Sequence, residues 1–178
     1  MTATFGGHLR GRGMAMRADH EELILRNVSL TARACWSLSR AYADRGDGTP
    51  PMLIHFIVAG GLLFHRMAAA KISRMQFDSG LLKVVTDEPE LIADIQSRME
   101  DNFERIVHGL QVGVASGILA RELTPLGPSF RALGMVLPKE IRDLGGHGGE
   151  IVAAAKRLGH WFSDDPLETV ATRLRVEF

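Results

Sequence analysis

The sequence predicts a mainly α protein: a single helical domain with a small β element, a hairpin or arm plus a C-terminal strand, in its C-terminal third. Three observations lead there. Apolar residues recur at helical spacing through most of the first two thirds of the chain. Prolines and glycines cluster after Gly117, where they stop helix and permit extended chain. The last residues, Arg173 to Phe178, alternate charged and apolar side chains in the manner of a half-buried strand.

With 178 residues the chain is long enough for one sizeable core and short for two domains of ordinary size. Twenty-one basic against twenty-one acidic side chains leave no net field to attract DNA or anionic lipid. The single cysteine, Cys35, excludes an intramolecular disulfide and a cysteine-rich zinc site, and such usage suits a cytoplasmic protein. Residues 1–18 carry Arg10, Arg12 and Arg17 but no apolar run of signal-peptide length, and are expected to form a disordered leader to a domain spanning 19–178. The longest apolar stretch, Met52 to Phe64, includes His55 and falls short of the roughly 20 residues needed to cross a bilayer.

Taken in order, Asp19 and Glu22 have capping-box spacing, and the apolar pattern Leu23, Val28, Ala32, Cys35, Trp36, Leu38, Tyr42 predicts a helix from about Asp19 to Asp44. Gly46, Gly48, Pro50 and Pro51 stop it and pre-set the next, expected from about Pro51 to Met75 and apolar almost all round in its first half. Gly60 and Gly61 sit inside that helix at a cost on the order of 2 kcal/mol relative to alanine, which points to close approach of another helix. A short helix is expected between Asp78 and Val85. Glu88-Pro89-Glu90 opens a longer one carried by Leu91, Ile95, Met99, Phe103, Ile106, Leu110 and Val114, with Gly117 as its cap. Ile118 to Pro128 reads as a small hairpin or extended arm, and Gly145 to Gly149 as a flexible connector into the last helix, Ile151 to Phe162. Asp164-Asp165-Pro166 then stops and restarts the chain, as N-cap and turn rather than as paired catalytic carboxylates.

Chemical motifs are weak. The glycine run before the last helix lacks the Lys-Ser/Thr of a phosphate loop, and Glu150 places a carboxylate where phosphate would sit. His55 and His65 lie about 15 Å apart if on one helix and cannot share a metal, while His108 and Glu104 lack a third ligand in register. No local motif supplies Cys35 or a serine with a base, so the expectation is a protein without catalytic residues, metal or cofactor. Arg98, Arg105, Arg121 and Arg131 could form a basic patch, but Glu100, Asp101, Glu104 and Glu122 are interleaved with the first three, which predicts a charge-paired face. Trp161 and Phe162 point about 100° apart on a helix, so one fits the centre of the buried stripe and the other is a candidate interface anchor. With the terminal strand's Leu174, Val176 and Phe178, they form the expected partner interface.

Several of these segments together resemble the middle component of three-component ABC-ATPase (ABC-3C) conflict systems, the group that includes Lamassu-type antiphage defence. Glu22-Leu23-Ile24-Leu25-Arg26-Asn27-Val28-Ser29 is similar to that family's opening segment, and Pro50 to Arg66, with Leu62-Leu63-Phe64-His65-Arg66, to its apolar second helix ending in a Leu-His pair. Ala155-Lys156-Arg157-Leu158-Gly159-His160-Trp161-Phe162, through Thr169-Val170 to Leu174-Arg175-Val176, resembles its Lys-Leu-Gly-x-Trp-Phe ending and terminal strand. Val28 stands where the family often has proline, and Ala59-Gly60 where a Leu-Pro step is common. The resemblance implies a non-enzymatic adaptor linking an SMC- or Rad50-like ABC ATPase to an effector, often a nuclease, with DNA contact only through the complex. The alternative is a helical ligand-sensing domain resembling the C-terminal half of TetR-type repressors, suggested by Asp87 to Leu91 and the long helix after them; the expected N-terminal helix-turn-helix is missing.

Overall fold

The computed structural model of the chain describes residues 9–137 and 146–178, with side chains from residue 27 onward. The α-helices among them are α1 (Leu9–Arg45), α2 (Leu53–Leu63), α3 (Arg66–Ile72), α4 (Gly80–Asp87), α5 (Ile95–Ala115), α6 (His147–Asp164) and α7 (Leu167–Leu174). A two-stranded antiparallel sheet, β1 (Leu119–Thr124) and β2 (Gly127–Ala132), stands between α5 and α6 in sequence. Short 3-10 turns at Phe77–Ser79 and Pro89–Leu91 precede α4 and α5. The fold is mainly α with a small sheet in the C-terminal third, as the sequence predicts.

Helix α1 is the spine, flanked by α6 and α5, and α2 crosses α5. Small residues set these crossings. A Cβ on Gly60 would lie 2.8 Å from Ile106 Cγ1, and one on Gly61 would lie 3.0 Å from Met99 Cγ, so the glycine pair lets α2 seat directly on α5. The core below is formed by Leu38 of α1, Phe56 and Leu62 of α2, Ile106 and Leu110 of α5, and Trp161 and Phe162 of α6, all of them fully buried. Cys35 lies in the same core, and burial pushes its thiol up to about 12, which leaves it an inert packing residue.

The structure corrects several expected boundaries. Helix α1 already runs from Leu9, through part of the expected leader; residues 1–8 of that leader lie outside the described residues, as do the side chains of the Asp19–Glu22 box. The single helix expected over Pro51 to Met75 is two, α2 and α3, meeting at 104°. The bend follows the caps and not the glycine pair: Phe64 closes α2, and the Nδ1 of His65 accepts the Ala68 N–H to start α3. Helix α5 begins at Ile95 instead of near Glu88, because the chain first makes the 3-10 turn at Pro89 and then passes Asp94 in the left-handed region, φ 56°. Gly148 and Gly149, expected in a flexible connector, belong to the first turn of α6, while Gly145 lies outside the described residues.

The largest correction concerns the terminus. Arg173 and Leu174 are helical, and no strand forms from there to Phe178. Arg175 adopts φ 56° and ψ 44°, its N–H bonds to the Thr172 carbonyl and the Val176 N–H to the Ala171 carbonyl, the two bonds that define a Schellman cap. The cap returns Val176 to the core beside Leu174. The alternation that reads as a strand is therefore satisfied by a helix end that buries the residues on either side of Arg175. Beyond it, the Gln96 side-chain amide accepts the Glu177 N–H at 3.2 Å and donates to its carbonyl at 3.4 Å, taking the part a neighbouring strand would play.

Candidate interaction surface

The closing block is part of the core. A Cβ on Gly159 would come within 2.3 Å of the Leu38 carbonyl oxygen, so α6 and α1 touch backbone to backbone there. Both Trp161 and Phe162 are buried, so neither is free to anchor a partner. The hundred-degree separation is accommodated because α6 is enclosed on two sides: Trp161 donates its Nε1–H to the Phe77 carbonyl at 2.6 Å, and Phe162 faces the ring of His55 at 6.1 Å. Arg157 donates to the Met75 carbonyl at 2.5 Å and lies over the Phe77 ring at 4.8 Å, fastening the loop after α3. Of the expected interface residues, Trp161, Phe162, Leu174 and Val176 are interior, and Phe178 alone, 61% exposed, is on the surface. Phe178 overhangs a hollow of about 330 Å³ lined by Ile54, Ile57, Met99 and Phe103.

Asp164 pairs with Arg45 at 2.8 Å and Asp165 with Arg173, so these carboxylates tie α6 to α1 and to α7. At the other end of α6, Glu150 lies 2.9 Å from His147 Nδ1, and this contact holds its carboxyl below the usual range. A carboxylate thus occupies the helix N-terminus, where the glycine run had invited comparison with a phosphate loop.

His55 accepts the Met52 N–H on Nδ1 at 3.1 Å, which assigns the ring proton of the neutral form to Nε2. Burial pushes its pKa down to about 4 despite that bond. The ring meets Tyr42 edge-on at 5.1 Å and borders a polar hollow of about 530 Å³ with Asp47, Glu122 and Arg131. His65 is the helix cap described above. Among the described residues no group of three or more His, Cys, Asp or Glu side chains is placed to hold a metal ion, and no single helix is long and apolar enough to cross a membrane.

The expected charge-paired face is realised only in part. Arg131 is held by Glu122 at 2.5 Å and donates to the Gly48 carbonyl at 2.8 Å. Arg98 donates to the carbonyls of Leu91 and Ala93, both at 2.6 Å, and Arg105 lies over Phe64 at 4.5 Å. Arg121 has neither hydrogen bond nor ion pair among the described residues.

The hairpin is where the surface is least closed. Trp36 of α1 donates to the Leu133 carbonyl at 2.9 Å, and Ser39 donates to the Phe130 carbonyl at 2.8 Å while accepting the Ala132 N–H at 2.9 Å. The Phe130 N–H donates to the Pro51 carbonyl at 3.0 Å. β2 is thereby fixed to the body, and Phe130 packs edge-on against Phe56 at 5.7 Å. Beside it, a groove of about 370 Å³ runs between α5 and the hairpin, lined by Val107, Gln111 and Val114 on one wall and Arg121, Pro128 and Phe130 on the other. Leu123 and Leu126 at the hairpin tip are 78% and 82% exposed. Sequence reasoning placed an arm here but missed this groove and Ser39; an apolar stripe continuing to Val114 on the best-marked helix was the available signal.

Among the described residues the body is helical, with a two-stranded sheet whose β1 edge is left unpaired. Residues 15–178 match the family described as ABC-three component (ABC-3C) system Middle Component 3, and the chain belongs to that family. No curated protein and no solved structure matches it.

Proposed function

We propose that this chain is the non-enzymatic adaptor of a bacterial antiviral defence system, joining an SMC- or Rad50-like ABC ATPase to an effector, often a nuclease, in the cytoplasm. The observation that carries the reading is the family match, which spans residues 15–178 and names a middle component of a system with further parts. The use of the family-like block supports it. Gly159 serves the contact between α1 and α6, while Trp161 and Phe162 are buried against the Phe77 turn and His55 of α2, so the residues that mark the family maintain a scaffold and leave its surface for partners. The apolar groove and the exposed leucines beside β1 suit a contact that is largely apolar and hence tolerant of salt.

Co-expression with the ATPase and effector encoded in the same system, followed by size-exclusion chromatography at rising salt, tests this. A ternary complex that requires this chain is the expected result. An ATPase and effector that associate without it, or separate elution of the chain at every salt concentration, overturns the adaptor role. Metal-dependent DNA cleavage by the isolated chain, abolished by changing one of its acidic residues, overturns the non-enzymatic one.

A further inference from the structure

We infer that the outer edge of β1 and the groove beside it receive an extended strand of alternating apolar residues, with one acidic residue facing Arg121, from another component of the same system. The inference deepens the adaptor reading and rests on it, since it draws the strand from that system.

The argument begins with backbone groups. Thr124 pairs with Gly127 across the two-residue turn, and the register continues through Glu122 with Ser129 and Ala120 with Arg131. These pairs exchange the ladder hydrogen bonds, so the residues between them, Arg121 and Leu123 on β1 and Phe130 and Ala132 on β2, turn their N–H and C=O outward. On β2 three of those four groups are taken: Phe130 N–H by Pro51, and Phe130 C=O and Ala132 N–H by Ser39. On β1, the outward groups of Arg121 and Leu123 have no partner among the described residues, and both residues are exposed. One edge of the sheet is closed and the other is open, which is the arrangement that accepts an added strand.

The side chains specify what the strand would be. Leu119, Arg121 and Leu123 share a face with Ala132, Phe130 and Pro128, and that face looks toward α5 across the groove. An added strand would direct every second side chain onto Val107 and Val114, which calls for apolar residues there. Arg121 sits at the groove without a carboxylate of its own, whereas Arg131 on the opposite face of the same hairpin is neutralised by Glu122. A cross-strand acidic residue would complete the pair. A second copy of this chain fits less well: in a two-fold pairing of β1 with itself, Arg121 meets Arg121, Leu123 or Pro125 as the centre moves from Arg121 to Glu122 to Leu123, and never a carboxylate.

The test uses the full chain with the ATPase and with the effector in turn, reading affinity and amide hydrogen exchange. In the complex with the component that binds, the amides of Arg121 and Leu123 should slow by about tenfold or more, while those of Ala120 and Glu122, already in the ladder, change little. Leu123→Pro removes only an outward N–H and should weaken binding by about tenfold, whereas Leu123→Thr, which keeps it, should weaken it less than about threefold. Arg121→Glu, on an exposed side chain, provides the same readout should the proline variant fail to fold, again with a loss of about tenfold. A stable complex in which neither the exchange nor the affinity responds overturns the edge while leaving the adaptor reading intact. Failure of the wild-type chain to bind either component overturns both. Protection of the Arg121 and Leu123 amides in the isolated chain, with a dimer in sedimentation, assigns the edge to a second copy and overturns the inference.

Discussion

The contact between α1 and α6 and the hairpin that leans on α1 lie on the same helix and meet opposite requirements. At the first, Gly159 brings two helix backbones together against the Leu38 carbonyl, and Leu38, Leu158, Trp161 and Phe162 are all buried. At the second, α1 contributes Ser39 and Trp36, which close one edge of the sheet and leave the other to solvent with two exposed leucines. The difference separates what marks the family from what would bind a partner. Leu158, Gly159, Trp161 and Phe162, at the centre of the family-like ending, are buried, and the hairpin surface carries no motif.

Gly159→Ala should break the first region outright. Its Cβ would meet a backbone carbonyl, which cannot move aside as a side chain can, so a loss of about 3 kcal/mol or more is expected in urea unfolding. Gly149→Ala, in the first turn of the same helix with nothing within 4 Å of the added atom, should instead be neutral or stabilising by up to about 1 kcal/mol. Equal effects from the two would mean the helices do not meet as described. Ser39→Ala tests the second region. It strips partners from the buried Phe130 carbonyl and from the Ala132 N–H, and a loss of about 2 kcal/mol is expected, with faster exchange confined to β2. A uniform rise in exchange across α1 and α6 would show that the hairpin is not a separable unit.

The same contrast explains which features were legible in sequence. The order of helices, the closely seated glycine pair and the hairpin follow from local rules, since periodicity, caps and turn residues act within a few positions. The break at His65 was missed because a histidine cap is a single nitrogen on a single N–H, 3.3 Å from Ala68, inside an otherwise continuous apolar run. Trp161 and Phe162 were split between core and interface because the periodicity argument assumes one buried face, and α6 has neighbours on two. The open edge of β1 was not legible at all. It depends on which residues on distant elements close the other edge, and Ser39 is 91 positions from Phe130.

His55 sits where the two regions adjoin, between Phe162 and the hollow under the hairpin. Its ordinary value is 6.5, and burial in the folded chain lowers it to about 4. Between those values the unfolded chain binds a proton that the folded chain does not, so stability is level above pH 6.5 with respect to this group and falls as pH drops toward 4. The loss attributable to it should be about 3 kcal/mol between pH 7 and pH 4. Urea unfolding of wild type and His55→Gln at both pH values isolates it from the carboxylates common to both proteins. Parallel pH slopes would mean that the ring is already solvated, and that the hollow extends into the core.

The smallest effect concerns Arg175, and it should be a gain. Its φ of 56° places a residue that carries a Cβ in the left-handed region at the end of α7, where a Schellman cap ordinarily carries glycine. Arg175→Gly relieves that strain but gives the unfolded chain more freedom, so the two terms partly offset and a net stabilisation of about 0.5–1 kcal/mol is expected. The side chain makes no hydrogen bond or ion pair among the described residues, so little else is lost. Arg175→Val gives the opposite test, because a β-branched residue favours extended chain and resists positive φ, and it should destabilise. If valine instead stabilised and glycine destabilised, the chain after Leu174 would be extended in solution. Val176 and Phe178 would then form the strand that the alternation predicts, and the terminus would join β1 as a second edge open to a partner.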